Sequence, residues 1–90
     1  MNTEQYITDM SNIFAECTNA FNYPVQIPNS VRDMSNAFYN CRRFNQPITI
    51  PNSVINMSKA FANSVLNQPL TIPDSVQSLS FAFENCKFNG

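Results

Sequence analysis

Histidine and tryptophan are absent from this sequence, and its single glycine, Gly90, is the last residue. Without histidine, the most frequent general base and the most frequent nitrogen ligand for zinc are missing. A small globule normally turns its chain at several glycines, because glycine tolerates a positive φ. Something else turns this chain. Charge is scarce too: 12% of residues are charged and the formal net charge is −1. The basic residues Arg32, Arg42 and Arg43 have Asp33 among them. Nucleic acid is therefore not expected as a partner, since its binders neutralise many phosphates at once. No apolar run approaches the length of about 18 residues that a membrane-spanning helix needs, so no membrane insertion is expected. The start, Met1-Asn-Thr-Glu-Gln-Tyr-Ile-Thr-Asp9, is polar and lacks the basic-then-apolar build of a signal peptide. This points to the cytosol or a virion if Met1 is the native start, and to a cell surface if the chain is part of a longer secreted protein.

What the sequence does contain is a repeat. Phe21-Asn-Tyr-Pro-Val-Gln-Ile-Pro-Asn-Ser-Val31 aligns with Phe44-Asn-Gln-Pro-Ile-Thr-Ile-Pro-Asn-Ser-Val54 and with Leu66-Asn-Gln-Pro-Leu-Thr-Ile-Pro-Asp-Ser-Val76. The match continues through Met34-Ser-Asn-Ala-Phe38, Met57-Ser-Lys-Ala-Phe61 and Leu79-Ser-Phe-Ala-Phe83. The spacing drifts from 24 to 23 to 22 residues, and every length change falls in one turn: Thr18–Ala20, Arg42–Arg43, Val65, Lys87. Gaps confined to one turn mean that the rest of each unit stays in register with its neighbours. The domain reading is one domain over 1–90: a half coil 6–20, repeats 21–43, 44–65 and 66–87, and the start of a further repeat at 88–90.

Each column has a physical task. The prolines of Pro24–Pro28, Pro47–Pro51 and Pro69–Pro73 frame a strand of about three residues, since proline cannot donate within a ladder and is tolerated at strand ends. Strand alternation sends Val25/Ile27, Ile48/Ile50 and Leu70/Ile72 to the core and leaves Gln26, Thr49 and Thr71 exposed. The following Asn29, Asn52 or Asp74 with its serine suits a side-chain-bonded turn. Ser11, Ser35, Ser58 and Ser80 then read as N-caps of a single helical turn that carries Phe14, Phe38, Phe61 and Phe83 inward. A second column, Phe21, Phe44, Leu66 and Phe88, closes each unit. Asn22, Asn45, Asn67 and Asn89 read as a ladder whose amides satisfy backbone groups. The fold expected is an α/β repeat solenoid: a right-handed, leucine-rich-repeat-like coil with short parallel strands and one short helical turn per repeat of 22–24 residues.

With these columns the sequence resembles the BspA-like (bacterial surface antigen, treponemal) class of leucine-rich repeat. That class carries strand-Ile-Pro-x-Ser-Val, an apolar position, then Ala-Phe-x-x-Cys. The Phe-Asn-Gln-Pro opening and the Val-x-x-Met-x-x-Ala-Phe spacing also resemble a related mycoplasma-type surface-protein repeat. The resemblance covers essentially residues 6–90. It implies adhesion or protein binding at a cell surface, or in some members a part in virions or other assemblies.

Cys17, Cys41 and Cys86 form one small, buried column, with Ser64 in the missing slot. Free thiols are expected there, and a Cys17–Cys41 disulfide stays conceivable because the two lie on adjacent units. With one cysteine per unit and no Cys-x-x-Cys, no metal is expected, and nothing calls for a cofactor. No nucleophile has a partner at a recognisable spacing and no glycine-rich phosphate loop exists, so the chain is not expected to be an enzyme. The function expected is that of a non-catalytic protein-binding or adhesion module. The candidate contacts are the strand face (Gln26, Thr49, Thr71) and the variable turn (Thr18–Ala20, Arg42, Arg43). Tyr23, Gln46 and Gln68 are further candidates whose direction the repeat leaves open. The alternative is a structural component of a larger assembly such as a phage virion. Neither end carries a polar capping repeat, which favours a protein partner or another copy covering at least one end.

Overall fold

The structure, a computed structural model, describes residues 7–17 and 21–86. Successive repeats lie one upon the next, and the contact between them runs through four equivalent turn segments: 10–17, 34–41, 57–64 and 79–86. In the first of these, all eight amides from Met10 to Cys17 are accounted for. Met10, Asn12, Phe14 and Glu16 donate to the carbonyls of Asp33, Ser35, Ala37 and Tyr39 in the next repeat, at 2.7–2.9 Å. Ile13, Ala15 and Cys17 donate back within their own segment, to Met10, Asn12 and Phe14, at 3.2 Å. The Ser11 amide donates to the Asp9 carboxylate at 2.8 Å. The same alternation joins 34–40 to 56–62 and 57–63 to 78–84.

A chain that sends every second amide to its neighbour cannot form i→i−4 bonds, so the expected helical turn is absent. The expectation of an α/β coil is overturned: the described residues contain no helix, and their only β pairing is three isolated parallel bridges, Asp9–Asp33, Asp33–Asn56 and Asn56–Ser78. Each turn segment is instead a succession of tight reverse turns. In the first and last turn of each segment the third residue holds a positive φ of 57–60°: Asn12 and Glu16, Asn36 and Asn40, Lys59 and Asn63, Phe81 and Asn85. Five of these eight are asparagine, which visits the left-handed region at little expense. This is how a chain almost without glycine turns so often. The serines expected to cap a helix do not act as caps. Their own amides are taken up by the side chain two residues before, Ser35 on Asp33 and Ser58 on Asn56, each at 2.9 Å.

The expected strands are corrected as well. The segments 25–27, 48–50 and 70–72 make no backbone hydrogen bonds to one another, and the parallel bridges fall several residues later, beyond Val31, Val54 and Val76. Proline at both ends of each three-residue segment removes two donors, and a groove runs between neighbouring segments. A ladder of serine side chains holds the repeats together here instead. Ser30, Ser53 and Ser75 donate their hydroxyls to the carbonyls of Ile7, Val31 and Val54, at 2.6–2.7 Å. The radius of gyration, 12.8 Å, is close to the roughly 12 Å of a compact globule of this length. The molecule is thus a compact pile of hydrogen-bonded turns and not a leucine-rich-repeat solenoid.

The core lies between the turn segments and the proline-framed segments. Val31, Met34, Phe38 and Phe44 are fully buried, as are Val54, Met57, Phe61 and Leu66 in the following repeat. The phenylalanines make a continuous pile: Phe14–Phe38, Phe38–Phe61 and Phe61–Phe83 are stacked at 5.3, 5.2 and 5.7 Å between ring centroids. Phe21 and Phe44, 5.5 Å apart, form a second column beside it. Each buried phenylalanine contributes about 1.5–3 kcal/mol through area removed from water, plus a further contribution from the offset stack.

Candidate functional site

The proline-framed face is the most open part of the molecule. Side chains still alternate there although no ladder forms. Ile27, Ile48 and Ile50 are buried, Val25, Leu70 and Ile72 pack against the core, and Gln26, Thr49 and Thr71 are exposed. Two equivalent grooves run between consecutive segments. The first, about 550 Å³, lies between Pro24–Ile27 and Pro47–Pro51, with Gln26 and Thr49 in its lining. The second, about 390 Å³, repeats it one unit on, with Thr49 and Thr71. Among the described residues, the amides and carbonyls of 25–27, 48–50 and 70–72 have no hydrogen-bond partner. The face therefore presents three short extended backbones with free donors and acceptors, spaced by grooves and rimmed by proline.

The flanking candidates divide into two groups. Gln46 and Gln68 are half-buried and committed to the stack. Gln46 Nε2 donates to the Asn22 carbonyl and to Asn22 Oδ1 at 3.1 and 3.0 Å, and Gln68 Nε2 makes the same pair to Asn45 at 3.3 Å. Asparagine completes this ladder, since the amides of Asn45 and Asn67 donate to Oδ1 of Asn22 and Asn45, both at 2.8 Å. Tyr23, by contrast, is 66% exposed, with its ring tilted against that of Phe21 and 6.3 Å from it between centroids. Arg42 and Arg43 are exposed on another side, where Arg42 borders a shallow depression of about 350 Å³ with Asn63, Val65 and Asn85. They do not join the groove face. Thr18–Ala20, Lys87, Phe88 and Asn89 lie outside the described residues.

Electrostatics give this site little chemistry. Asp9 is held below its ordinary value by hydrogen bonds from Ser11, first from its hydroxyl and then from its amide. The Cys41 thiol is pushed up to about 11, mainly by burial and then by the neighbouring Cys17. It donates to the Phe14 carbonyl at 2.8 Å. Cys17, Cys41 and Cys86 are all free. Among the described residues no three His, Cys, Asp or Glu side chains are grouped to hold a metal ion, and no helix is long and apolar enough to cross a membrane.

Sequence reasoning did not find the serine ladder, although Ser30, Ser53 and Ser75 are invariant in all three repeats. The signal was present, but a local turn accounts for such a serine equally well. The left-handed positions were also missed, because Glu16, Lys59 and Phe81 give no hint of a positive φ.

The model of the family described as "Mycoplasma protein of unknown function, DUF285" matches residues 2–90, and the chain belongs to this family. No curated protein and no solved structure matches. The mycoplasma-type resemblance therefore holds, while neither the BspA-like leucine-rich-repeat assignment nor the virion reading finds support.

Proposed function

We propose, from membership of this mycoplasma family and the geometry of its open face, that the chain is a non-catalytic protein-binding module. It takes its partner on the proline-framed face, and a cell-surface or adhesive partner accords with the mycoplasma-type resemblance. One observation supports this above the others. Three consecutive repeats present unpaired backbone amides and carbonyls beside exposed Gln26, Thr49 and Thr71. An extended polypeptide is the occupant such a surface suits. Its own amides and carbonyls pair with the free groups, and its alternate side chains enter the grooves. The groove volumes of about 550 and 390 Å³ fall in the range of occupied binding clefts, roughly 300–1,000 Å³.

The test is a selection of displayed peptides on the 90-residue chain, followed by titration of the selected peptides against Thr49→Arg and Thr71→Arg. Both side chains are exposed, so the melting temperature is expected to stay within about 2 °C of the parent. Affinity is expected to fall at least about tenfold, the equivalent of 1.4 kcal/mol. Peptides that bind both variants as tightly as the parent, or a selection that returns no binder, would overturn the reading.

A further inference from the structure

Thiols recur at one position of the repeat, Cys17, Cys41 and Cys86, with Ser64 between the last two. Backbone bonds join the repeats beside this column, such as the Glu16 amide to the Tyr39 carbonyl at 2.7 Å. Such bonding keeps equivalent residues of adjacent repeats about 5 Å apart. That spacing lies inside the Cα separation a disulfide tolerates, about 4.4–6.8 Å. The side chains meet as well. The Phe14 carbonyl accepts the Cys17 amide at 3.2 Å and the Cys41 thiol at 2.8 Å, so the Cys41 sulfur reaches into the turn that ends on Cys17. Cys17 lies next to that thiol through both its side chain and its amide. The equivalent pair further along the column, Ser64 and Cys86, has Oγ and Sγ 3.4 Å apart. Cys41 and Cys86 are two repeats apart, about 10 Å, which no disulfide spans. Access differs within the pair: Cys17 is half-buried and Cys41 fully buried.

We infer that Cys17 and Cys41 form a redox pair, which a low-molecular-weight disulfide oxidises to a bridge stapling segment 10–17 onto segment 34–41, while Cys86 stays a thiol. Burial sets the order of events. Cys17, the more accessible, loses its proton and attacks one sulfur of the external disulfide. The external S–S bond breaks, one thiolate leaves, and a mixed disulfide remains on Cys17. Cys41 then gives up its proton and attacks the Cys17 sulfur, and the second external thiolate leaves. Two protein thiols are oxidised, one external disulfide is reduced, and the two protons end on the two external thiols. Ser64 takes no part in this chemistry, which limits the described column to one bridge.

Oxidised glutathione tests this on the 90-residue chain. After treatment, acid quenching and denaturation, one thiol is expected to react with maleimide where the reduced chain has three, and no glutathione is expected to remain attached. Trypsin is expected to release residues 1–32 and 33–42 as one cross-linked fragment, with Cys86 outside it. The bridged protein is expected to melt at least about 5 °C above the reduced one, a shift that reductant reverses. Cys41→Ser is expected to stop at the first step and keep one glutathione on Cys17. Ser64→Cys is expected to leave no free thiol, because a second bridge then closes on Cys86. If Ser64→Cys fails to fold, the parent's fragment map and the glutathione retained by Cys41→Ser decide. Three free thiols after oxidation, glutathione retained on Cys17 of the parent, a bridge that includes Cys86, or an oxidised protein that melts no higher than the reduced one would each overturn the inference.

Discussion

The second and third turn segments have the same kind of sequence as the outer two, yet they live in different surroundings. Met34 and Met57 are fully buried, whereas Leu79, in the same column, is 44% exposed. Phe38 and Phe61 have a ring stacked on each side and no exposure, while Phe14 and Phe83 are only partly buried. Ala37 and Ala60 are buried, and the larger Ile13 stands half open in their column. A repeat here is therefore not a unit of stability. It becomes one when a neighbour lies on both faces, because each coil leaves half of its amides or carbonyls to the next one and has too few apolar side chains to close a core alone.

The largest way to break this comparison is to truncate matched rings. Phe61→Ala removes a fully buried ring between two others and is expected to lower stability by about 3–5 kcal/mol. Phe83→Ala, in the same column of the outermost described repeat, is expected to cost about 1–2 kcal/mol in proportion to its smaller burial. Urea denaturation of the two variants measures both, and equal losses would mean that the outer repeat is as well packed as the inner one.

A smaller contrast concerns the cysteine column. Cys41 is buried, while Cys17 and Cys86 are partly open. Burial, with Cys17 beside it, pushes the Cys41 thiol up to about 11 from an ordinary value of 9.0. Between these values the unfolded chain gives up the proton and the folded chain keeps it. This contribution to stability is thus whole below pH 9 and is lost as the pH rises through about 11. Thermal melts are expected to show that decline, and Cys41→Ser, lacking the thiol, is expected to show less of it. Alkylation of the native protein at neutral pH should label Cys41 last. Labelling of Cys41 as fast as Cys86 would show that the inner repeats open as readily as the outer.

The smallest expected effect sharpens the account of the turns. Lys59 holds a φ of 57° where the two preceding repeats have Asn12 and Asn36. Asparagine bears this conformation more easily, so Lys59→Asn is expected to raise stability by about 0.5 kcal/mol. A fall in melting temperature would count against the left-handed assignment at this column.

How much of this was legible in the sequence depends on which neighbours a residue answers to. The apolar columns could be read because burial follows from chemistry and repetition alone, so Val31, Met34, Phe38 and Phe44 were recognisable as core. The asparagine ladder was also legible, since a polar side chain repeated at Asn22, Asn45 and Asn67 has itself as neighbour in the next repeat. The helical turn was misread. Serine before an apolar pair is a frequent helix start, and nothing local reveals that Phe38 and Asn40 will send their amides to Ala60 and Ala62. The strands were misread for a related reason: alternation fixes which way Thr49 and Thr71 point, but pairing also needs adjacent backbones within about 5 Å. Of the candidate contacts, Gln26, Thr49 and Thr71 share one face, Gln46 and Gln68 serve the stack, and Arg42 and Arg43 lie elsewhere.

The one-way hydrogen bonding of the turn segments also has an electrical consequence. Four aligned N–H···O=C rows, one row for every alternate residue of a segment, add their peptide dipoles along the axis of the pile, and the single row of opposite sense, from Arg32 to Thr8, Ile55 to Arg32 and Gln77 to Ile55, offsets only part of them. An α-helix carries its positive pole at its amino end; in this molecule the sense is reversed. Each further repeat lengthens the dipole. A protein with so few charges thus acquires a polarity from its backbone.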